Sequence, residues 1–195
     1  LSSRGGWRGG AYEADLLVSL QDAVVKNPSG HTVQAAARGL SHFGEHSLGW
    51  LAIATAGAVV HRGDSDARTG RDAWIAMGAA AFTAHAASVV VKRIVRRKRP
   101  HDPRIVVGVG TPSSLSFPSS HATSTAAALV ALSRISGSKA PLAGIPVMMA
   151  SRLVLGVHYP TDVCAGVALG VATEQTVHRL AARCSGGGTS KENGR

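Results

Sequence analysis

Three short blocks of basic, hydroxyl and imidazole side chains fall at the ends of apolar segments. In the first, Lys92 is separated by six residues from Arg99 and Pro100; the second is Pro118, Ser119, Ser120 and His121. In the third, Ser151 and Arg152 precede His158 by five intervening residues, and Asp162 follows after three more. A phosphomonoester carries about two negative charges at neutral pH. Arg99 and Arg152 can each fork onto phosphate oxygens, and Lys92 adds a point charge. Ser119, Ser120 and the amides after Pro118 sit where a helix would begin, and free N–H groups and the helix dipole attract anions there. Together these groups would stabilise charge on the equatorial oxygens during phosphoryl transfer. The better nucleophile is His158, because Asp162 can hold one ring nitrogen and leave the other to attack phosphorus. Pro160 suits the first turn of the next helix, which would bring Asp162 back towards His158. His121 then serves as general acid for the leaving alkoxide and later as the base that activates water, a role typically worth about 10²–10⁴ in rate. Such chemistry calls for no metal and no cofactor.

The segments that must position these blocks read as helices. Ala11–Lys26 puts Leu16, Leu17, Leu20 and Val24 on one face and Asp15 and Asp22 on the other, the pattern of an interfacial amphipathic helix. Glu13 falls on its apolar side, in a first turn where the dipole favours an acid. His31–Phe43 is a second short helix, Ser47–Val60 is free of charge, and Asp64–Asp72 is a polar loop. Ala73–Val91, 19 residues without a formal charge, is the clearest spanning segment. Ala122–Leu132, Leu142–Ala150 and Val163–Ala172 are apolar but short, and need flanking residues to cross roughly 30 Å of hydrocarbon at about 1.5 Å per residue. If Ser47–Val60 crosses away from the active face, the next four segments return, leave, return and leave. Five crossings then put all three blocks on one side.

Composition fits such a bundle. Hydrophobic residues make up 45% of the chain but aromatics only 4%, so Ala, Gly and Val carry the apolar character. Small residues suit closely packed membrane helices, and Gly166 and Gly170 form a small-xxx-small pair. The net charge of +10 implies anionic partners. Arg93, Arg96, Arg97 and Lys98 read as a lipid-headgroup or solvated face, and without interleaved aromatics they do not make a nucleic-acid patch. Cys164 lies in an apolar stretch and Cys184 in a polar one, which indicates neither a disulfide nor a metal site. The expected organisation is a flexible N-terminus over 1–10, one membrane-embedded domain over 11–183 and a disordered Gly/Ser/Lys-rich tail over 184–195. Leu1–Gly10 lacks the apolar core of a signal peptide. The fold class is all-α: a polytopic membrane helix bundle of about five spanning helices plus the N-terminal interfacial helix.

The three blocks resemble the signature of the type-2 phosphatidic acid phosphatase superfamily, which is related to the vanadium haloperoxidases. Its pattern is K-x6-RP, PSGH and SR-x5-H-x3-D; order and internal spacings match here over about Ala73–Ala172. The departure is Ser120 in place of Gly, which ordinary helical backbone tolerates. The resemblance implies the roles reasoned above: catalytic His158, His121 and Asp162, with phosphate held by Lys92, Arg99, Ser119, Ser120 and Arg152 through a phosphohistidine intermediate. A non-catalytic lipid-phosphate-binding scaffold would lack His121, His158 or Asp162, and all three are present. Within the superfamily, Leu40–Ser47, the block from Arg99 to Pro103 and Leu153–Pro160 look most like the actinobacterial decaprenylphosphoryl-5-phosphoribose phosphatases. That implies a polyprenyl-linked phosphate substrate, membrane lipid neighbours, and a part in making arabinan precursors for the cell wall. Phosphatases of undecaprenyl pyrophosphate, phosphatidylglycerol phosphate and phosphatidate are the rivals. The implied location is the bacterial plasma membrane with the site facing the cytoplasm, where phosphoribosyl donors reside. The positive-inside rule abstains, because Lys and Arg divide evenly once the catalytic cations are set aside. A homo-oligomer is compatible with the sequence.

Other polar residues carry plainer readings. Pro28-Ser29-Gly30-His31 spells the family string literally but precedes Lys92, so it reads as a decoy with Ser29 as a helix cap. His42 and His46 stand one helical turn apart beside Glu45 without a third zinc ligand, and suit either a structural or a headgroup role. His85 reads equally as a functional group or as an inter-helix hydrogen bond. His101 and Asp102 adjoin the Arg99 block at a place suited to the site's mouth.

Overall fold

The computed structural model describes residues 9–25, 27–66 and 68–186. Of the segments expected to be flexible, 9–10 belong to the first helix and 184–186 to the last, and 1–8 and 187–195 lie outside the described residues. Seven α-helices follow in order: α1 (Gly9–Val25), α2 (Gly30–Gly44), α3 (Leu48–Val60), α4 (Arg71–Val95), α5 (Ser120–Ser136), α6 (Gly144–Val154) and α7 (Pro160–Gly186). Single 3₁₀ turns, Glu45–Ser47 and Ala140–Ala143, precede α3 and α6. Among the described residues there is no strand, only an isolated bridge between Lys98 and Leu115.

Helix α5 is the axis. Every residue from Ala122 to Leu129 is buried, so no face is left for solvent or lipid. Its neighbours are α4, α6 and α7, and α3 packs on α4 outside them. Alanines make the close contacts. Ala128 and Leu129 meet Trp50, Met77 and Ala81, while Ala127 meets Ala80 and Ala84. Trp50 donates its indole N–H to Thr125 Oγ1 at 3.1 Å. The expected small-xxx-small pair does what its spacing implies. A Cβ on Gly170 would stand 2.2 Å from the Thr123 carbonyl oxygen, and one on Gly166 would stand 2.7 Å from that of Ser119. Farther along, Glu174 is buried on α7 and accepts from Arg134 of α5 at 2.9 Å.

Outside this core the helices show apolar side chains. On α4, Ile75, Phe82, Val90 and Ile94 are exposed, as are Val59 and Val60 on α3 and Val147 on α6. So wide an apolar surface suits lipid rather than water. By length and composition one helix among the described residues, Arg71–Val95, is long and apolar enough to cross a membrane. Helix ends bring the chemistry to one end of the bundle. Lys92 lies in the last turn of α4, Ser119 caps the start of α5, Arg152 lies in the last turn of α6, and Asp162 in the first turn of α7.

Replacing Gly170 by Val forces a branched side chain into the Thr123 backbone. We expect it to lower the thermal midpoint of the detergent-solubilised protein by an amount equivalent to about 1–3 kcal/mol. An unchanged midpoint would show that α5 and α7 do not meet there.

Candidate active site

The eight residues singled out by spacing come together around a cavity of about 640 Å³ or in the layer behind it. His158 sits in the turn between α6 and α7, almost fully buried. Its Nε2 lies 3.2 Å from Arg99 Nη1, and its Nδ1 faces Asp162 Oδ2 at 3.6 Å. A guanidinium has no lone pair to offer. Nε2 must therefore carry the lone pair and Nδ1 the proton, with the carboxylate on the Nδ1 side. Burial, reinforced by Arg99, Arg152 and Lys92, holds this imidazole well below the usual histidine range. That favours the neutral ring, with its lone pair at Nε2.

Asp162 is anchored on all sides. Pro160 opens α7, as its fixed φ favours, and turns Asp162 back over the loop it has just left. Oδ2 accepts the Tyr159 N–H at 2.8 Å and Oδ1 accepts from Arg97 at 3.0 Å. Its main-chain carbonyl accepts the Ser119 N–H at 2.9 Å, tying α7 to the start of α5.

The cations are held in different ways. Arg99 donates Nε to the Ser113 carbonyl at 2.8 Å and Nη1 to that of Val157 at 2.6 Å. Burial draws its guanidinium down to about 10, still a cation at neutral pH. Lys92 gives its ammonium to the carbonyls of Pro118, Leu115 and Ser116 at 2.8, 3.3 and 3.3 Å. It therefore shapes the loop before α5 as well as charging the site. Arg152 is 1% exposed; Nη1 donates to Ser41 Oγ at 2.7 Å and Nε has no hydrogen-bond partner. Ser119 caps α5 through Oγ, leaving the amides of Ser120 and His121 in the first turn without intrahelical acceptors. Ser120 takes ordinary helical backbone, and its hydroxyl lies 2.8 Å from that of Ser88.

His121 donates Nε2–H to the Ser41 carbonyl at 2.9 Å. A carbonyl can only accept, so the proton sits on Nε2 and Nδ1 is free to exchange one. Ser41 thus holds both His121 and Arg152 from α2. The stretch Leu40–Ser47 that carries part of the resemblance contains it, but no local spacing gives it a role, because its partners lie 80 and 111 residues away.

Arg97 overturns one expectation. Rather than facing lipid headgroups or solvent, it turns inward, pairs with Asp162, and stacks over the Tyr159 ring at 4.3 Å. On its other side it pairs with Glu13 of α1. Glu13 also accepts from the Thr161 N–H and hydroxyl at 3.0 and 2.6 Å. These hydrogen bonds outweigh burial and hold its carboxyl below the usual range. Glu13 is therefore placed by a partner across the fold, rather than by its own helix dipole. The basic run between Lys92 and Arg99 contained this signal, but no local spacing separates Arg97 from Arg93, Arg96 and Lys98, which are exposed.

Other expectations fare unevenly. His42, Glu45, His46 and His85 line the same cavity as His121 and His158. His101 and Asp102 do not; Asp102 is held by Arg104 at 2.8–3.0 Å. Ser29 occupies the cap position of α2 without a side-chain cap bond, and His31 is exposed away from the cavity.

The chain matches the pattern of the PAP2 superfamily over residues 73–185. It is 55% identical over 154 residues to a protein of Mycolicibacterium smegmatis named decaprenylphosphoryl-5-phosphoribose phosphatase, covering 79% of this chain and 81% of that one. A Mycobacterium tuberculosis protein of the same name is 50% identical, covering 81% and 84%. In fold it is similar to the crystal structure of a transmembrane PAP2-type phosphatidylglycerolphosphate phosphatase from Bacillus subtilis, with a TM-score of 0.61, 22% identity, and coverage of 90% and 93%.

Arg97→Met removes the charge that orients Asp162 but keeps the stem. We expect kcat to fall by about 10- to 100-fold, as when other groups that orient a functional side chain are lost, with KM within a few-fold. Arg97→Lys should recover part of the loss. A KM effect alone would assign Arg97 to substrate binding instead.

Proposed function

Since the chain belongs to the PAP2 superfamily, it is a phosphoric monoester hydrolase of the membrane, and we propose that it removes the 5-phosphate of decaprenylphosphoryl-5-phosphoribose to leave decaprenylphosphoryl ribose. The names of the mycobacterial relatives, matched over about four-fifths of both chains, support this substrate. The observation that carries the mechanism is the approach of Arg99 to His158 Nε2, with Asp162 behind Nδ1. It supports a lone pair aimed at the place where a guanidinium would hold the phosphate.

In the first step His158 Nε2 attacks phosphorus in line, and the bond from phosphorus to the ribose O5 breaks. His121, entering the step protonated on both ring nitrogens, gives its Nδ1 proton to the departing oxygen and keeps Nε2–H on the Ser41 carbonyl, producing the alcohol and a phosphohistidine. Asp162 balances the positive charge that spreads over the ring to Nδ1. In the second step His121 takes a proton from water, the hydroxide displaces Nε2, and inorganic phosphate leaves. Arg99, Arg152 and Lys92, with the α5 amides and the hydroxyls of Ser119 and Ser120, neutralise the equatorial oxygens throughout. That is the work a metal ion does in other phosphatases, and these groups would do it without one.

In the membrane, α3 to α7 would form five crossings and α1 would lie at the interface. Helix α3 rises only about 20 Å over its 13 residues, so its flanking turns must complete the crossing. The active end would face the cytoplasm, where phosphoribosyl donors are made.

We expect His158→Ala to abolish turnover while the protein stays folded. The wild type should work in chelator, bind vanadate as an inhibitor, and prefer prenylphosphoryl-ribose 5-phosphate over prenyl pyrophosphate and phosphatidate in detergent. A preference for phosphatidate would remove the substrate reading and leave the phosphatase. A strict Mg²⁺ or Zn²⁺ requirement would remove the mechanism. For sidedness, a cysteine-reactive tag following residue 186 should be labelled from outside intact cells; labelling only after lysis would reverse the orientation.

A further inference from the structure

Phosphoryl transfer leaves one wall of the cavity unused. In-line attack by His158 puts the leaving oxygen on the far side of phosphorus, at His121. His85 continues that wall on α4, and Ser88, one turn on, lies 2.6 Å from the His85 carbonyl and 2.8 Å from Ser120 Oγ. Next comes His46, its ring centroid 5.8 Å from that of His85. Glu45 stands between His46 and His42, one carboxylate oxygen 4.0 Å from each Nδ1. His85 Nδ1 is buried without a hydrogen-bond partner.

The backbone is bent to make this wall. Between α2 and α3 two successive non-glycine residues, His46 and Ser47, take left-handed conformations at φ 49° and 63°. Ser47 is buried, and its hydroxyl approaches the Ala81 carbonyl on α4 at 3.5 Å. The turn thereby sets Glu45 and His46 over the cavity rather than out along a continuous helix. Such conformations cost of order 1–3 kcal/mol apiece.

The chemistry of the wall narrows what it meets. An ionised carboxylate only accepts hydrogen bonds and repels anions. Glu45 is therefore badly placed for a second phosphate directly attached to the first, and a prenyl or diacylglycerol chain offers it no donor. Neighbouring hydroxyls do, and two of them can span both carboxylate oxygens, while imidazoles serve as donor or acceptor. We propose that Glu45, His46 and His85, with His42 at the rim, form a polyol subsite that hydrogen-bonds the hydroxyls of the leaving sugar. This rests on the sugar-phosphate reading of the substrate, and deepens it by naming the residues that tell a pentose phosphate from a pyrophosphate or a glycerolipid phosphate.

The test is a cycle between side chain and hydroxyl, run on the full chain in detergent. Prenylphosphoryl-ribose 5-phosphate and its 2,3-dideoxy analogue are compared on wild type, Glu45→Gln and His46→Ala. We expect the wild type to lose about 10- to 100-fold in kcat/KM on the dideoxy analogue, the range of hydrogen bonds to a charged group. In Glu45→Gln that penalty should shrink to a few-fold, because the ribose substrate alone is affected. His46→Ala should show a smaller penalty of the same kind. An equal penalty in wild type and both variants, or none in wild type, overturns the subsite while ribose 5-phosphate turnover keeps the substrate reading. No turnover of the ribose substrate by wild type overturns both.

Discussion

A carboxylate cut off from water must be surrounded by donors, and the arrangement of the active end follows from how Asp162 meets that need. The carboxylate draws an amide from the turn before it and a guanidinium from the loop after α4, while the main-chain carbonyl of the same residue takes the Ser119 amide from the start of α5. Each donor belongs to a different one of the three sequence blocks or stands beside one. Through its carboxylate and its main-chain carbonyl, this one residue sets the α5 start, the His158 turn and the Arg97 loop in register with each other. His158 then has little freedom: Asp162 lies on one side of its ring and Arg99 on the other. Removing the charge would strip the Tyr159 amide of its acceptor and leave Arg97 with Glu13 as its remaining carboxylate.

The surrounding bundle is built for closeness more than for apolar area. Between helices in lipid, burying apolar surface gains little, and contact must come from dispersion and hydrogen bonds. Alanines on three sides of α5, glycines on α7 and the Trp50–Thr125 bond supply both. Short approach distances also let helix ends converge, so that side chains as short as Ser119 and Asp162 reach a common centre.

Local spacing made the chemical residues legible. Lys92, Arg99, Ser119, Ser120, His121, Arg152, His158 and Asp162 could be singled out because each block is short and its spacing is a property of the chain. The helices were legible too, though often shorter than they are. The apolar run of α7 stops near Ala172, yet the helix continues because Arg134 compensates Glu174 within the bundle. What could not be read were partnerships between distant segments. Ser41 meets residues 80 and 111 positions away, and Arg97 meets Glu13 over 84. No period or motif records such pairs. Arg97 was indistinguishable from its basic neighbours until the fold turned it inward.

The pairing of Glu13 with Arg97 has a thermodynamic corollary. Helix α1 shows Tyr12 and Leu16 outward and buries Glu13 against the residue that orients Asp162. In the proposed arrangement, with α1 at the bilayer surface and His158 attacking phosphorus, the seating of α1 and the poise of His158 would be one linked equilibrium. Whatever free energy a lipid surface contributed to seating α1 would then be shared with Asp162. Linkage runs equally in both directions, so a phosphate that tightened the site would, in that arrangement, also tighten the grip of α1 on the membrane.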